Sequence, residues 1–336
     1  MNLNMPIPTQ SIQSIRQLAQ GHPVFLVNIE NGCFVVKAED TQVNRNLRDP
    51  LEIMNVIDPN AFTRVLTKPE LMGLRDWVRQ NGDSVEEPSP GYMLDKLSGA
   101  LRPPMPPPMR GAAIQRMQES VWIVMHAKAN LKDLEGAGKK RQAGDKTEVR
   151  EIAKALNEPG TLEKLGEIIA ADAFNGNQDR VNFEGQGKRW EENGQKFSLD
   201  CIQNPGNFFV AQHGGKNTVF GLDSFDPTNQ FTNLDTFAKA SDGFNYPGTV
   251  LRQDAGQARL ALAQKIVNDM ETILGPRNRK IIFASTKRLP PDATARIVRG
   301  MQSGALKILN HLKDKYRGRP QSQGFQERLR ALGWTL

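Results

Sequence analysis

Apolar residues alternate along the first part of the chain. Val24-Phe-Leu-Val-Asn-Ile-Glu30 reads as a strand and Cys33-Phe-Val-Val-Lys37 as its return. Asn31-Gly32 between them is a strong hairpin turn, because both residues tolerate positive φ. Alternation puts Val35 and Lys37 on one face. Ser14 to Pro23 predicts a first strand and a short loop with one glycine, Gly21. From 49 to 80 the pattern is mostly helical, with Asp49 as N-cap, Pro50 in the first turn, and Pro59 and Pro69 as breaks. A low-order insert is expected over 82–112, where Arg102-Pro-Pro-Met-Pro-Pro-Pro-Met-Arg110 forces extended geometry. It reads as a linker, with docking of a partner domain as the sharper alternative.

Ser120 to Met125 is an apolar strand that runs into a small polar bend and a helix-like start. Residues 136–148 are glycine-punctuated and basic, which predicts a solvated loop, with a phosphate or lipid contact as the alternative. Thr147–Asn157 and Thr161–Asp172 read as helices separated by Pro159, the second with Leu162, Leu165, Ile168 and Ile169 at helical spacing. Residues 183–204 read as an insertion forming an exposed hairpin. Its Trp190 either docks a partner or packs the hairpin onto its own lobe. Val250–Leu274 and Asp292–Tyr316 are long helical patterns, and the tail over 319–336 is basic and partly helical. Residues 1–10 are expected to be disordered.

The chain has 336 residues, room for one two-lobed domain or two ordinary ones. A hydrophobic content of 38% supports a core, and a net charge of +7 favours acidic partners such as nucleotides, anionic lipid headgroups or acidic protein surfaces. Scattered basic residues and an aromatic content of 7% argue against stable nucleic-acid binding. Cys33 and Cys201 lie in apolar stretches and read as buried small hydrophobes of a reducing compartment. His22, His126, His213 and His311 show no metal-ligand spacing. No apolar run approaches the roughly 20 residues of a membrane span. The first ten residues are polar and uncharged, lacking the regions of a secretory signal; exported bacterial effectors often begin this way.

The candidate chemistry lies between 172 and 226. Asp172-Ala-Phe-Asn-Gly-Asn-Gln-Asp179-Arg180-Val-Asn182 is a polar loop. Two apolar runs follow, with Asn207 just before Phe208-Phe-Val210 and Asp223 at the end of Val219-Phe-Gly-Leu. Phosphotransfer sites need this order: one carboxylate for the attacking hydroxyl, then an amide and a second carboxylate for Mg²⁺ on the ATP phosphates. The loop resembles the catalytic loop of the atypical kinases, which include actin-fragmin kinase, the phosphoinositide kinases and the HipA-type kinases. That loop reads roughly D-x-x-x-x-N-x-D-R, and Asp172, Asn177, Asp179 and Arg180 fit it.

The resemblance implies an α+β, bilobal protein-kinase-like fold. A small antiparallel-sheet N-lobe would span 11–130 and a helical C-lobe 131–318. Lys37, at the end of a strand, resembles the ATP-contacting lysine. Glu52 is favoured as its acidic partner over Glu39 and Asp40, which lie just past the strand. Met125, His126 and Lys128 would form the hinge against which adenine lies. Asp179 would act as base, with Arg180 beside it. Asn207 and Asp223 would hold the metal, with Asn182 as the substitute for Asn207. The expected cofactors are ATP and Mg²⁺, and the expected acceptor is a protein Ser/Thr hydroxyl, in the cytoplasm or in a host cell after secretion as a bacterial effector. Alternatives are a phosphoinositide kinase recruited to anionic lipid, a kinase-fold AMP transferase, and a pseudokinase scaffold.

Overall fold

The alternating N-terminal pattern becomes a six-stranded sheet. In the computed structural model, the described residues are 5–18, 23–40, 48–86, 90–101, 120–128, 130–183, 185–192, 194–213, 215–222, 247–275, 288–318 and most of 326–335. The chain is mixed α/β and divides into two units: residues 1–55 with 60–127, and residues 56–59 with 128–336. The proline run Arg102–Arg110 and the stretch 223–246 lie outside the described residues.

In the first unit the strands are β1 (Ile12–Gln17), β2 (Val24–Ile29), β3 (Gly32–Asp40), β4 (Thr63–Val65), β5 (Val85–Glu86) and β6 (Ser120–His126). Their order is β4-β6-β3-β2-β1-β5. All neighbours are antiparallel except β1 and β5, so the sheet is mixed rather than antiparallel. Ile29 pairs with Gly32, which makes Glu30-Asn31 the two-residue loop, one position earlier than expected. Gly32 has φ +145°, a value that favours glycine. Cys33 beside it is half-buried rather than a core residue.

Three helices belong with this sheet: α1 (Arg48–Ile57), α2 (Lys68–Gln80) and α3 (Pro90–Leu101). Helix α3 overturns the expectation of low order over 90–101. Pro90 opens the helix, where a missing N–H costs nothing. Met93 and Leu97, one helical turn apart, are both fully buried. They join Leu74 and Val78 of α2 in a core with Phe25, Phe34, Val36 and Trp122. The Phe25 and Trp122 rings stack at 5.8 Å.

The expected disorder of the N-terminus is also corrected from residue 5 onward. Ile7 is buried, and its N–H donates to Glu70 Oε1 at 2.8 Å. Glu70 also receives Arg64 Nη2 at 2.6 Å and the Thr67 N–H and hydroxyl at 2.8 and 2.7 Å. Burial alone would raise this carboxyl, but the Arg64 guanidinium and the other donors bring it down from 4.5 to about 2. Because the folded value is the lower one, the stabilisation is complete above pH 4.5 and lost as pH falls towards 2. Denaturant titration of wild type and Glu70→Gln should show a gap of roughly 3 kcal/mol near neutrality that closes across this window. A gap independent of pH would mean that the ionised carboxylate contributes nothing.

The second unit is mainly helical: α4 (Leu134–Gln142), α5 (Thr147–Asn157), α6 (Thr161–Asn175), α7 (Gly256–Leu274) and α8 (Ala293–Tyr316). It also carries β7 (Lys132–Asp133), a hairpin of β8 (Arg189–Glu192) and β9 (Gln195–Ser198), and a second hairpin of β10 (Phe209–His213) and β11 (Lys216–Phe220). Strands β11, β10 and β7 form one sheet. Helix α6 is almost wholly buried and packs on α8 through glycines. A Cβ at Gly166 would lie 2.7 Å from Met301 N, and one at Gly304 would lie 2.8 Å from Ala170 Cβ.

The basic stretch expected as a solvated loop is largely helix α4. Leu134, Ala137, Gly138 and Arg141 recur at i, i+3, i+4 and i+7 and are buried. Asp133 caps the helix by accepting the Gly136 N–H at 2.7 Å. Arg141 is buried, pairs with Glu192 at 2.7 Å and donates to the Ile273 carbonyl at 3.0 Å. Trp190 is only 4% exposed and lies over Gly138, where a Cβ would approach its Cζ2 to 2.9 Å. Trp190 therefore packs the hairpin onto its own unit, and the partner-docking reading falls. The tail is likewise more than a basic extension: Trp334 is buried and stacks on Phe174 at 6.0 Å.

Candidate active site

The polar loop after α6 is built by its own side chains. Gly176 takes the left-handed conformation, φ 71°, and ends the helix. Asn177, fully buried, donates Nδ2 to Asp172 Oδ1 at 3.1 Å and accepts the Asp179 N–H at 3.0 Å. The loop therefore leaves Asp179 exposed at its tip.

Arg180 turns the other way. It is 1% exposed, donates Nε to Asp172 Oδ2 at 2.7 Å and donates Nη2 to the Leu222 carbonyl at 2.9 Å. Burial raises the Asp172 carboxyl, while Arg180 and Asn177 oppose that rise. Arg180 was expected beside the chemistry as a catalytic group; the structure places its guanidinium in the interior. It ties the Asp179 loop to the chain just ahead of Asp223. Asp223 itself lies outside the described residues.

Asn207 arrives at the same place from the turn Pro205–Asn207. It is buried, and its Nδ2 donates to Asp179 Oδ2 at 2.7 Å. Asn204 Nδ2 stands 3.4 Å from the same oxygen, while Asn204 Oδ1 accepts the Gly206 N–H at 3.1 Å and shapes the turn. Asn182 does different work: its Nδ2 donates to the Gln186 carbonyl at 3.0 Å and its Oδ1 accepts the Gly185 N–H at 3.0 Å. Of the two candidate amides, Asn207 is the one joined to Asp179.

The segment leading to Asn207 is held from below by Asp269 of α7. Its carboxylate accepts the N–H groups of Asp200, Cys201 and Ile202 at 2.6, 2.8 and 2.8 Å. Burial raises the Asp269 carboxyl, and these donors oppose the rise. Burial also pushes the Cys201 thiol well up, which leaves it unreactive. The sequence reading missed Asn204 and Asp269. For Asp269 a signal was present: an acidic residue stands among Leu262, Ile266, Met270 and Ile273, on the stripe α7 buries.

Lys128 belongs to the second unit. Its Nζ lies 4.5 Å from the Phe220 ring centroid. Burial lowers its ammonium, with the Asp58 charge opposing.

Lys37, Glu52, Met125 and His126 belong to the first unit. Lys37 pairs across the sheet with Ile123, and by alternation shares a face with Val35 and Glu39. Strand β3 runs to Asp40, so Glu39 lies within it rather than past it. Lys37 Nζ is 2.6 Å from Glu39 Oε1. Glu39, set second to Glu52 in the sequence, is thus a partner of Lys37. Met125 is paired with Val35 on one side and Thr63 on the other. Met125 therefore lies inside the sheet, between two strands.

Asp179 and Asn207 form an oxygen-rich pair. With Nδ2 committed to Asp179, Asn207 retains an amide oxygen as acceptor, the ligand type that suits a hard ion such as Mg²⁺. Among the described residues no three carboxylate, imidazole or thiol groups converge. No family model, curated protein or solved structure matches the chain.

Proposed function

We propose that the protein is an ATP- and Mg²⁺-dependent phosphotransferase of bilobal, kinase-like plan that acts on a protein hydroxyl. One observation carries the reading. Asp179 is solvent-facing yet held at Oδ2 by Asn207, while the adjacent Arg180 holds the chain one residue before Asp223. A general base needs both a fixed carboxylate and access to its acceptor. Asp179 would receive the hydroxyl proton. Asn207 and Asp223 would hold Mg²⁺, and Lys37 would contact the phosphates of ATP, which supplies the phosphoryl group when bound.

The test uses purified protein, Mg²⁺, a protein mixture and ATP labelled at the α or the γ phosphate in parallel. Transfer of the γ label alone, lost in Asp179→Asn, is the expected result. Transfer of the α label would replace this reading with AMP transfer. Absence of Mg²⁺-dependent ATP binding would end it.

A further inference from the structure

Asp179 is held by a strip of chain that itself hangs on one buried carboxylate. The strip runs from Leu199 to Asn204 and bonds to the residues that follow Asp179. The Asn182 N–H donates to the Cys201 carbonyl at 2.8 Å, and the Arg180 carbonyl accepts the Gln203 and Asn204 N–H groups at 3.1 and 3.4 Å. Val181 and Ile202 face each other between these bonds. The Leu199 N–H and the Ile202 carbonyl go to the backbone of Lys188, at 3.0 and 2.8 Å.

Three successive donors of the strip go to a side chain instead. The N–H groups of Asp200, Cys201 and Ile202 all donate to Asp269, at 2.6, 2.8 and 2.8 Å. Asp269 is 3% exposed. Consecutive N–H groups turned towards one anion form a concave seat for negative charge. Buried backbone donors must be paired, and a charged acceptor makes the stronger bond, so the path of the strip depends on this carboxylate.

The strip carries everything described at Asp179 Oδ2. Asn204, its last residue, stands 3.4 Å from that oxygen, and Asn207, in the turn that follows, donates to it at 2.7 Å. The backbone just after Asp179 and the amides on its carboxylate therefore share one support.

We propose that Asp269 is a positioning residue for Asp179: it fixes residues 200–202, and through them both the chain at Arg180 and the amides that hold the carboxylate. Its consequence for turnover rests on the phosphotransfer reading. Asp269 lies beneath the strip and acts through it.

The test uses the full-length protein with isotope-labelled asparagine. The Asn207 side-chain amide resonance reports its bond to Asp179 without any turnover. That of Asn157, whose Nδ2 donates to the Ala153 carbonyl at 2.7 Å within α5, is the control for an intact fold. Asp269→Asn keeps the size of the side chain but removes its charge and sets an NH₂ group against backbone donors. It should move the Asn207 resonance towards its position in Asp179→Ala and leave Asn157 unmoved. It should also lower γ-phosphoryl transfer about 10–10²-fold, since a misplacement of about 1 Å can cost that much. Added to Asp179→Asn, the same change should cost little more, because residues that act through one group are not additive.

A folded Asp269→Asn with an unmoved Asn207 resonance overturns the proposal, as does an equal loss of transfer with and without Asp179. Should Asp269→Asn fail to fold, Asp269→Glu is read in its place: it displaces the carboxylate by one methylene, and an unmoved Asn207 resonance there overturns the proposal equally. A wild type that transfers no phosphoryl group defeats the phosphotransfer reading, while the Asn207 comparison still decides whether Asp269 positions Asp179.

Discussion

Asp179→Asn is expected to lower phosphoryl transfer by about 10²–10⁴-fold, the range a positioned general base contributes. Asparagine keeps the size of the side chain but cannot accept the hydroxyl proton. Its amide still offers one oxygen to Asn207 Nδ2, so the hydrogen bond seen at 2.7 Å can survive. Asp179 is exposed, so the substitution should leave the melting temperature nearly unchanged. Binding of Mg²⁺-ATP, measured by calorimetry, should also persist. The informative result is therefore a split: binding retained and turnover lost. Transfer at the wild-type rate would remove Asp179 from the chemistry and leave it as a loop residue.

The second large effect concerns stability. Arg180→Met should cost about 3–5 kcal/mol, the usual consequence of stripping one partner from a buried ion pair. Arg180 and Asp172 are 1% and 0% exposed and 2.7 Å apart. Without the guanidinium, Asp172 keeps only the Asn177 amide as a side-chain donor among the contacts described above. Burial then raises its carboxyl further, so the folded form prefers the protonated acid. A folded-state pKa above the unfolded one makes stability greatest at low pH, with loss as pH rises through the folded value. The penalty of Arg180→Met should therefore shrink on acidification. The double variant Arg180→Met/Asp172→Leu should recover much of the loss, because an apolar pair leaves no buried charge. Chemical denaturation of both variants at neutral and acid pH checks this. A penalty under about 1 kcal/mol would show that water reaches the pair.

Local chemistry made much of this protein legible. Alternation from Val24 to Lys37 yields β2 and β3, because a strand with one buried face must repeat every second residue. Helices α5 and α6 follow from apolar spacing and the Pro159 break. The order Asp172, Asn177, Asp179 and Arg180 encloses a loop whose side chains bond one another, so a short stretch of sequence holds most of its geometry. The misreadings share a cause. Residues 136–142 look polar and breakable, yet Gly138 is needed for Trp190 to lie close, and Arg141 has a buried carboxylate waiting on β8. Pro90 looks like the edge of a linker, but it starts a helix whose buried face is only Met93 and Leu97.

The strand and helix periods, the β2–β3 hairpin to within one residue, the break at Pro159 and the loop that presents Asp179 are written in the chain itself. These depend on backbone preference and on contacts between near neighbours. Which distant groups meet depends on the packed chain. It selected Asn207 over Asn182 as the amide on Asp179, across 28 positions of chain. It turned Arg180 inward to Leu222, 42 positions away, and brought Asp58 to Gly221, 163 positions away. It also fixed Asp269 under residues 200–202. A hydrogen bond to a buried charge leaves no periodic trace in the chain, because its two partners are set by packing rather than by spacing.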